Sequence, residues 1–272
     1  MGRVLPTEVL QYAPSYGNQR VHDLSRNVVI ELPYGINEVV LSADRSQQLL
    51  IHTEMLDDPT ISYYVGVAFA PLDELTHIVT GRSVIFADLP RWSHDGTKIV
   101  FSRRNQLDSP NQLYIMNANG SNIVALTDND TFNTSPVWFP DDRKILFQQW
   151  QGNQYDIAVL DLTTKQITRL TNTPYNENYP DISPNGNDIV FVSDERANQD
   201  IYLMNADGSD RRAIITDSSI DASPTFSPDG TSLAFVSLRN EGISQIFRYT
   251  LGSGDISQIT DSELTGQPVW WR

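Results

Sequence analysis

An all-β fold is predicted: a propeller of six four-stranded antiparallel blades. Three observations predict it. A phrase of proline, turn residue and glycine returns along the chain, as Pro90-Arg91-Trp92-Ser93-His94-Asp95-Gly96, Pro136-Val137-Trp138-Phe139-Pro140-Asp141-Asp142, Pro180-Asp181-Ile182-Ser183-Pro184-Asn185-Gly186 and Pro224-Thr225-Phe226-Ser227-Pro228-Asp229-Gly230. The turn residues Asp95, Asp141, Asn185 and Asp229 stand 46, 44 and 44 residues apart, with a weaker copy ending on Asp44. Each unit holds four short apolar runs, and four strands per ~40–45 residues is the mark of a propeller blade. The third observation lies at the ends. Pro268-Val269-Trp270-Trp271-Arg272 reads as a first strand without successors, and residues 1–33 read as three strands without a first one. Pairing the two closes the ring and covers open sheet edges, which invite aggregation.

Within a unit the first strand runs into the turn. Pro228 presets the backbone there, and Gly230 supplies the positive φ that a tight Asp-Gly turn needs. The second strand carries a large apolar residue six positions after the turn residue: Leu50, Phe101, Phe147, Phe191 and Phe235. Third strands read Leu113-Tyr114-Ile115-Met116, Ile157-Ala158-Val159-Leu160, Ile201-Tyr202-Leu203-Met204 and Ile246-Phe247-Arg248-Tyr249. Each unit closes on an apolar-Thr pair: Val79-Thr80, Leu126-Thr127, Leu170-Thr171, Ile215-Thr216 and Ile259-Thr260. These anchors divide residues 1–272, taken as one propeller domain, into blades at about 34–81, 82–129, 130–173, 174–217 and 218–261. A closing blade comes from 1–33 plus 262–272. The 34–81 unit is the most degenerate. No segment has a helical period, so almost no helix is expected. A single blade buries one face poorly, so stability must come from stacking, with Trp92, Trp138, Phe226 and Trp270 as the filling between blades.

The chain has 34 acidic and 19 basic residues and a net charge of −15. That balance argues against nucleic acid, whose phosphates need clustered Lys and Arg, and favours a basic partner or divalent cations. There is no cysteine, hence no disulfide and no thiolate metal site. No apolar run approaches the ~20 residues of a membrane span. Met1-Gly2-Arg3-Val4-Leu5-Pro6 does not read as a secretory leader, which leaves a cytoplasmic protein or a mature or excised form. A monomer is expected.

Catalytic signals are sparse. His22, His52, His77 and His94 are not at metal-ligand spacing, and there is no Gly-x-Ser-x-Gly elbow. Asn205-Ala206-Asp207-Gly208-Ser209-Asp210 has the look of a calcium loop, but Thr216 stands where the twelfth-position carboxylate belongs. A hairpin turn is the better reading. No cofactor is expected; a divalent cation in the channel is compatible with the acidic balance.

The phrases Ser227-Pro228-Asp229-Gly230-Thr231 and Ile201-Tyr202-Leu203-Met204-Asn205-Ala206-Asp207-Gly208-Ser209 resemble the WD-like (PD-type) repeats of the TolB-type six-bladed propeller. The resemblance covers most of residues 34–272. It implies a periplasmic or extracellular protein of the cell envelope that binds protein partners, notably a peptidoglycan-associated lipoprotein, at one mouth of its channel. The α/β domain and N-terminal partner-binding segment of that family are not read in these 272 residues. Similar repeats occur in the propellers of prolyl-oligopeptidase-type peptidases, so the resemblance by itself does not fix function.

Candidate binding residues lie on the loops leading into the first strands, at one mouth beside the loops joining second to third strands. Three residues before each Pro stand Ala87, Asn133, Glu177, Asp221 and Thr265, with Asp88, Asn178, Tyr179 and Gln267 as neighbours. The facing loops bring Arg104, Arg196 and Arg239. Polar residues that vary between units, held on a rigid scaffold, are where binding sites concentrate. The plainer reading is that Arg196 and Arg239 pair with nearby carboxylates to fix adjacent blades. Two functions follow: a non-catalytic scaffold for a protein, peptide or envelope component, or an enzyme (hydrolase, lyase, or gating propeller of a peptidase) in which Glu177, Asp181 and Asp221 converge near the axis.

Overall fold

A computed structural model describes residues 86–104 and 109–260, with side chains from Pro90 onward, and the backbone of the further strands named next. The first are β1 (Val9–Tyr12), β2 (Arg20–Asp23) and β3 (Val28–Glu31), then β4 (Ile36–Leu41), β5 (Gln48–Glu54) and β6 (Tyr64–Ala70). Next come β7 (Phe86–Trp92), β8 (Lys98–Arg104), β9 (Gln112–Asn117) and β10 (Val124–Ala125). They are followed by β11 (Asn133–Trp138), β12 (Lys144–Trp150), β13 (Tyr155–Asp161) and β14 (Ile167–Arg169). The last are β15 (Glu177–Ile182), β16 (Asp188–Ser193), β17 (Asp200–Asn205) and β18 (Arg212–Ile215), then β19 (Asp221–Phe226), β20 (Ser232–Asn240), β21 (Ile243–Thr250), β22 (Ile256–Gln258) and β23 (Val269–Trp270). Among the described residues every regular element is a strand. β7–β10, β11–β14, β15–β18 and β19–β22 each form an antiparallel sheet in chain order, and β4–β6 form a three-stranded one. β23 pairs with β1, Leu10 opposite Trp270 and Gln11 opposite Val269, in the sheet β23-β1-β2-β3.

The core lies between sheets. Alternate residues of β12 point to opposite faces: Ile145 and Phe147 pack with Val100, Leu113 and Trp138 against the preceding sheet, while Leu146 joins Ile182, Phe191 and Tyr202 of the next. On β16, Val190 turns to Phe226 and Phe235 of the sheet beyond. With both faces covered, these strands read as unbroken apolar runs instead of an alternating pattern. Trp92, Trp138 and Phe226 are buried, as the sequence predicts; only the backbone of Trp270 is described.

The repeated turn is built from its side chains. Ser227 Oγ donates to Asp229 Oδ1 at 2.6 Å, that carboxylate accepts from Thr231 N, and Gly230 N closes on Ser227 O. Ser183, Asn185 and Gly186 repeat the arrangement. Where the glycine is replaced, Asp142 takes φ +54° itself, and its carboxylate accepts from His94 N (2.7 Å) and Asp95 N (2.8 Å) of the neighbouring turn. The closing threonines also have a use: Thr127, Thr171 and Thr260 each accept from a buried third-strand amide, those of Leu113, Ile157 and Ile246, at 2.9–3.0 Å.

The first strands β7, β11, β15 and β19 each carry a bulge at the proline, seen as a register break between Asp88 and Arg91, Thr134 and Val137, Asn178 and Asp181, and Ala222 and Thr225. The residue before proline has positive φ at Ser135 (54°), Tyr179 (52°) and Ser223 (51°). A residue ahead of proline ordinarily keeps to extended backbone, so these three are held there by the sheet, and the bulge re-aims the chain at the strand's start. Neighbouring sheets are tied near this point: Trp138 Nε1 donates to Arg91 O at 2.9 Å, and Asp181 Oδ2 accepts from Phe226 N at 2.7 Å.

Candidate functional site

The loops before the first strands gather beside the second-to-third-strand hairpins. Trp150 N donates to Phe132 O, Leu238 N to Ile220 O and Asp194 N to Asn176 O within a blade; Asn133 N donates to Asn111 O and Asp221 N to Gln199 O of the blade before. One end of the molecule therefore carries the loops that hold the sequence-derived candidates.

The residues three before proline are under this surface. Asn133, Glu177 and Asp221 are fully buried. Glu177 Oε1 accepts from Arg211 Nε at 2.9 Å and lies 2.8 Å from its Nη2. Arg211 also bonds Glu195 (2.6 Å) and Ser193 (3.2 Å), and its guanidinium lies over the Tyr202 ring at 4.4 Å. Asp221 is held in the same way by Arg239, at 3.0 and 3.2 Å, with Asp217 at 2.9 Å and the rings of Phe247 and Phe235 at 4.9 and 5.1 Å. Phe191–Tyr202 and Phe235–Phe247 are equivalent cross-strand pairs. The same place for a cation is thus filled from two unrelated chain positions, Arg239 at the end of β20 and Arg211 just before β18. The β11–β14 blade has Ala158 opposite Phe147 and a neutral version of the network: Asn133 Nδ2 donates to Gln112 Oε1, and Gln149 Nε2 to Asn133 Oδ1.

Burial pushes the Glu177 carboxyl up, against the Thr171 hydroxyl and Arg211, and pushes Asp221 up against Ser237 and Arg239. Burial lowers Arg211, but Glu195 and Glu177 outweigh it and the net direction is upward. The Tyr202 phenol is pushed to about 12, by burial and then by Glu195. Two more buried acids start third strands: Asp156, 3.2 Å from Arg169, and Asp200, 3.3 Å from Arg196. Burial raises both.

Glu177, Asp181 and Asp221 are each held by different groups. Arg211 takes the first, Thr225 and Phe226 the second, Arg239 the third. Among the described residues no group of three or more His, Asp or Glu is arranged to hold a metal ion. Asp207 of the calcium-like phrase accepts from Ser209 N and Oγ within its hairpin. Of the other candidates, Asn178 and Tyr179 are half-buried on β15, Arg104 is half-buried at the end of β8, and Arg196 is exposed. Only the backbone of Asp88 is described, and Gln267 lies outside the described residues. Sequence reasoning missed Arg211, Asp156 and Asp200. It also missed the apolar residues at this end, exposed Phe132 and Ile220 and half-buried Trp150 and Tyr155. Phe132 and Ile220 each stand one residue before a candidate, which was the available signal.

Residues 149–271 match the TolB beta propeller domain family. The Tol-Pal system protein TolB of Anaeromyxobacter dehalogenans is 32% identical over 161 residues, covering 58% of this chain and 34% of that protein. The Tol-Pal system protein TolB of Francisella tularensis is 31% identical over 97 residues, covering 35% and 22%. The matches therefore span about a third or less of these relatives' length. Among solved structures, a putative TolB from Agrobacterium tumefaciens superposes with a TM-score of 0.72 at 20% identity, covering 96% of this chain and 90% of that one. An oligogalacturonate lyase in complex with manganese gives 0.65 at 16%, covering 90% and 74%. At such identities the structural likeness shows the fold alone.

Proposed function

We propose that this chain, a TolB-like β-propeller, is a non-catalytic binding scaffold that recognises a protein or peptide of the cell envelope at the mouth carrying Asn178, Tyr179 and Arg196. The reading includes a single domain of six blades, closed by β23 on β1, working as a monomer in the periplasm or outside the cell. One observation carries it. The buried carboxylates at this end, Asp156, Glu177, Asp200 and Asp221, each have their own arginine, which spends their charge on holding the loops. What faces outward is a set of varied polar and aromatic side chains on a rigid base, the arrangement of a recognition surface. In this reading Asn133, Glu177, Asp221 and Arg239 support the mouth from beneath.

The test is capture of envelope proteins on the immobilised chain, read by mass spectrometry. Tyr179→Ala/Arg196→Ala at the mouth is compared with Asp207→Ala/Asp229→Ala on turns away from it. Partner loss with the first pair alone is expected. Equal capture by both, or a glycan- or ester-cleaving activity that the mouth variant abolishes, overturns the scaffold reading.

A further inference from the structure

At the mouth the first three strands of a blade bring one residue apiece into register. In β15–β17 these are Glu177, Ser193 and Asp200, and in β19–β21 they are Asp221, Ser237 and Gln245. In β11–β13 they are Asn133, Gln149 and Asp156. In β7–β9 they are Ala87, Arg103 and Gln112. Three blades bring acids to this level, and the β7–β10 blade brings a cation instead.

Arg103 takes the aromatic seat that Arg211 and Arg239 take in their blades. Phe101 and Tyr114 are the cross-strand pair equivalent to Phe191–Tyr202 and Phe235–Phe247, and they stack at 5.8 Å. The Arg103 guanidinium lies over the Tyr114 ring at 5.3 Å; Arg211 lies over Tyr202 at 4.4 Å and Arg239 over Phe247 at 4.9 Å. Those two arginines each face a buried carboxylate, Glu177 and Asp221. Arg103 does not: the register position of that carboxylate is Ala87. Arg103 Nε is buried without a hydrogen bond, and no ion pair joins its guanidinium among the described residues. Gln112 across the strand is already used, with Nε2 donating to Asn129 O and Thr131 O and Oε1 accepting from Asn133 Nδ2. A guanidinium drawn partly out of water without an acceptor is costly. Unlike Glu177 and Asp221, Arg103 is only half-buried, so a group entering the mouth reaches it.

We propose that the Arg103 guanidinium, opposite Ala87 and over the Tyr114 ring, binds the carboxylate of an aspartate or glutamate side chain on the partner of this mouth. The partner supplies the group that the chain supplies itself at Glu177 and Asp221. A planar carboxylate matches the fork of donors on a guanidinium, and both neighbouring examples of this seat are filled by one. The net charge of −15 repels an acidic segment at long range, so an uncompensated cation at the mouth fixes where such a segment attaches. The inference rests on the scaffold reading and names the chemistry of its partner.

The test is fluorescence anisotropy of the whole chain with labelled ten-residue Gly-Ser peptides. One carries two central glutamates and blocked ends, one has glutamines in their place, and a third is the glutamine peptide with a free C-terminus. The glutamate peptide is expected to bind about fivefold or more tighter than the blocked glutamine peptide, against the overall charge. Arg103→Gln should remove that preference. Ala87→Glu puts a carboxylate of the chain's own opposite Arg103. It should also remove the preference, and it should raise the melting temperature by a few degrees in the parent and not in Arg103→Gln. Near-ultraviolet circular dichroism checks folding, and Ala87→Glu keeps the test decisive if Arg103→Gln does not fold. Equal binding of the two blocked peptides, or a preference that survives Arg103→Gln or Ala87→Glu, overturns the proposal. Tight binding of the free C-terminus peptide alone overturns the side-chain source. If the glutamate peptide shows no preference while Tyr179→Ala/Arg196→Ala still abolishes envelope capture, the scaffold reading stands and only the carboxylate chemistry falls.

Discussion

Replacing Arg211 by methionine should be among the most destabilising single changes in the described part of the chain. Glu177 is fully buried, and Arg211 reaches Oε1 through two nitrogens at 2.9 and 2.8 Å. Breaking a buried ion pair from one side costs ~3–5 kcal/mol, because the remaining charge has no water to solvate it. The contact with the Tyr202 ring at 4.4 Å adds about 0.5–2 kcal/mol. Proton uptake by Glu177 limits the total, so about 3–4 kcal/mol is expected at pH 7. Glu177→Gln/Arg211→Met should recover most of that loss, since the double change leaves no buried charge; the coupling should be about 2–3 kcal/mol. Urea unfolding followed by tryptophan fluorescence measures all three variants. Repeating it at lower pH adds a check. Without its arginine, Glu177 titrates higher still, so the penalty should shrink as pH falls through its folded pKa. An Arg211→Met cost under about 1 kcal/mol, or a cycle that is additive, refutes the reasoning.

Three further outcomes are expected. Asp200 has its pKa raised by burial while its counter-ion Arg196 is largely exposed. A raised carboxyl stabilises the fold below its unfolded pKa and loses that stability as pH rises through the folded value. Asp200→Asn should therefore be more stable than the parent at pH 7, and the gap should close in melts run at progressively lower pH. Thr171→Val orphans the buried Ile157 amide and should lose about 1–3 kcal/mol in urea unfolding. At exposed Thr216, where Ile215 pairs directly with Ile201, the same change should lose less than about 0.5 kcal/mol. Gly208→Ala would set a Cβ 2.9 Å from Leu170 O at φ +88°, whereas Gly152→Ala at φ +95° meets open space. Both carry the strain of positive φ, about 1 kcal/mol, but Gly208→Ala should lower the melting temperature by several degrees more.

Much of the fold was written locally. Ser227, Asp229 and Gly230 make their turn from side chains within three residues of each other, so the phrase that encodes the turn also builds it. The recurring threonines likewise meet the strand beside their own, and sequence spacing carried the signal. The mouth was legible only as a location. The plainer reading anticipated that Arg196 and Arg239 pair with carboxylates, but had them fix adjacent blades; Arg196 takes Asp200 four residues on, and Arg239 takes Asp221 of its own sheet. Arg211 could not be found that way: it reaches Glu177 across 34 residues of sequence, from an element that has no counterpart role in the next blade.

By itself the sequence determined a repeated four-stranded unit, its turns and its buried strands, because turn hydrogen bonding and short apolar runs act over a few residues. Only the tertiary structure decided which charges were neutralised. Asp156, Glu177, Asp200 and Asp221 each take an arginine from another strand or loop of their own sheet, and burial sets the energy of the charge; both depend on how the strands lie side by side and stack, which no spacing along the chain records.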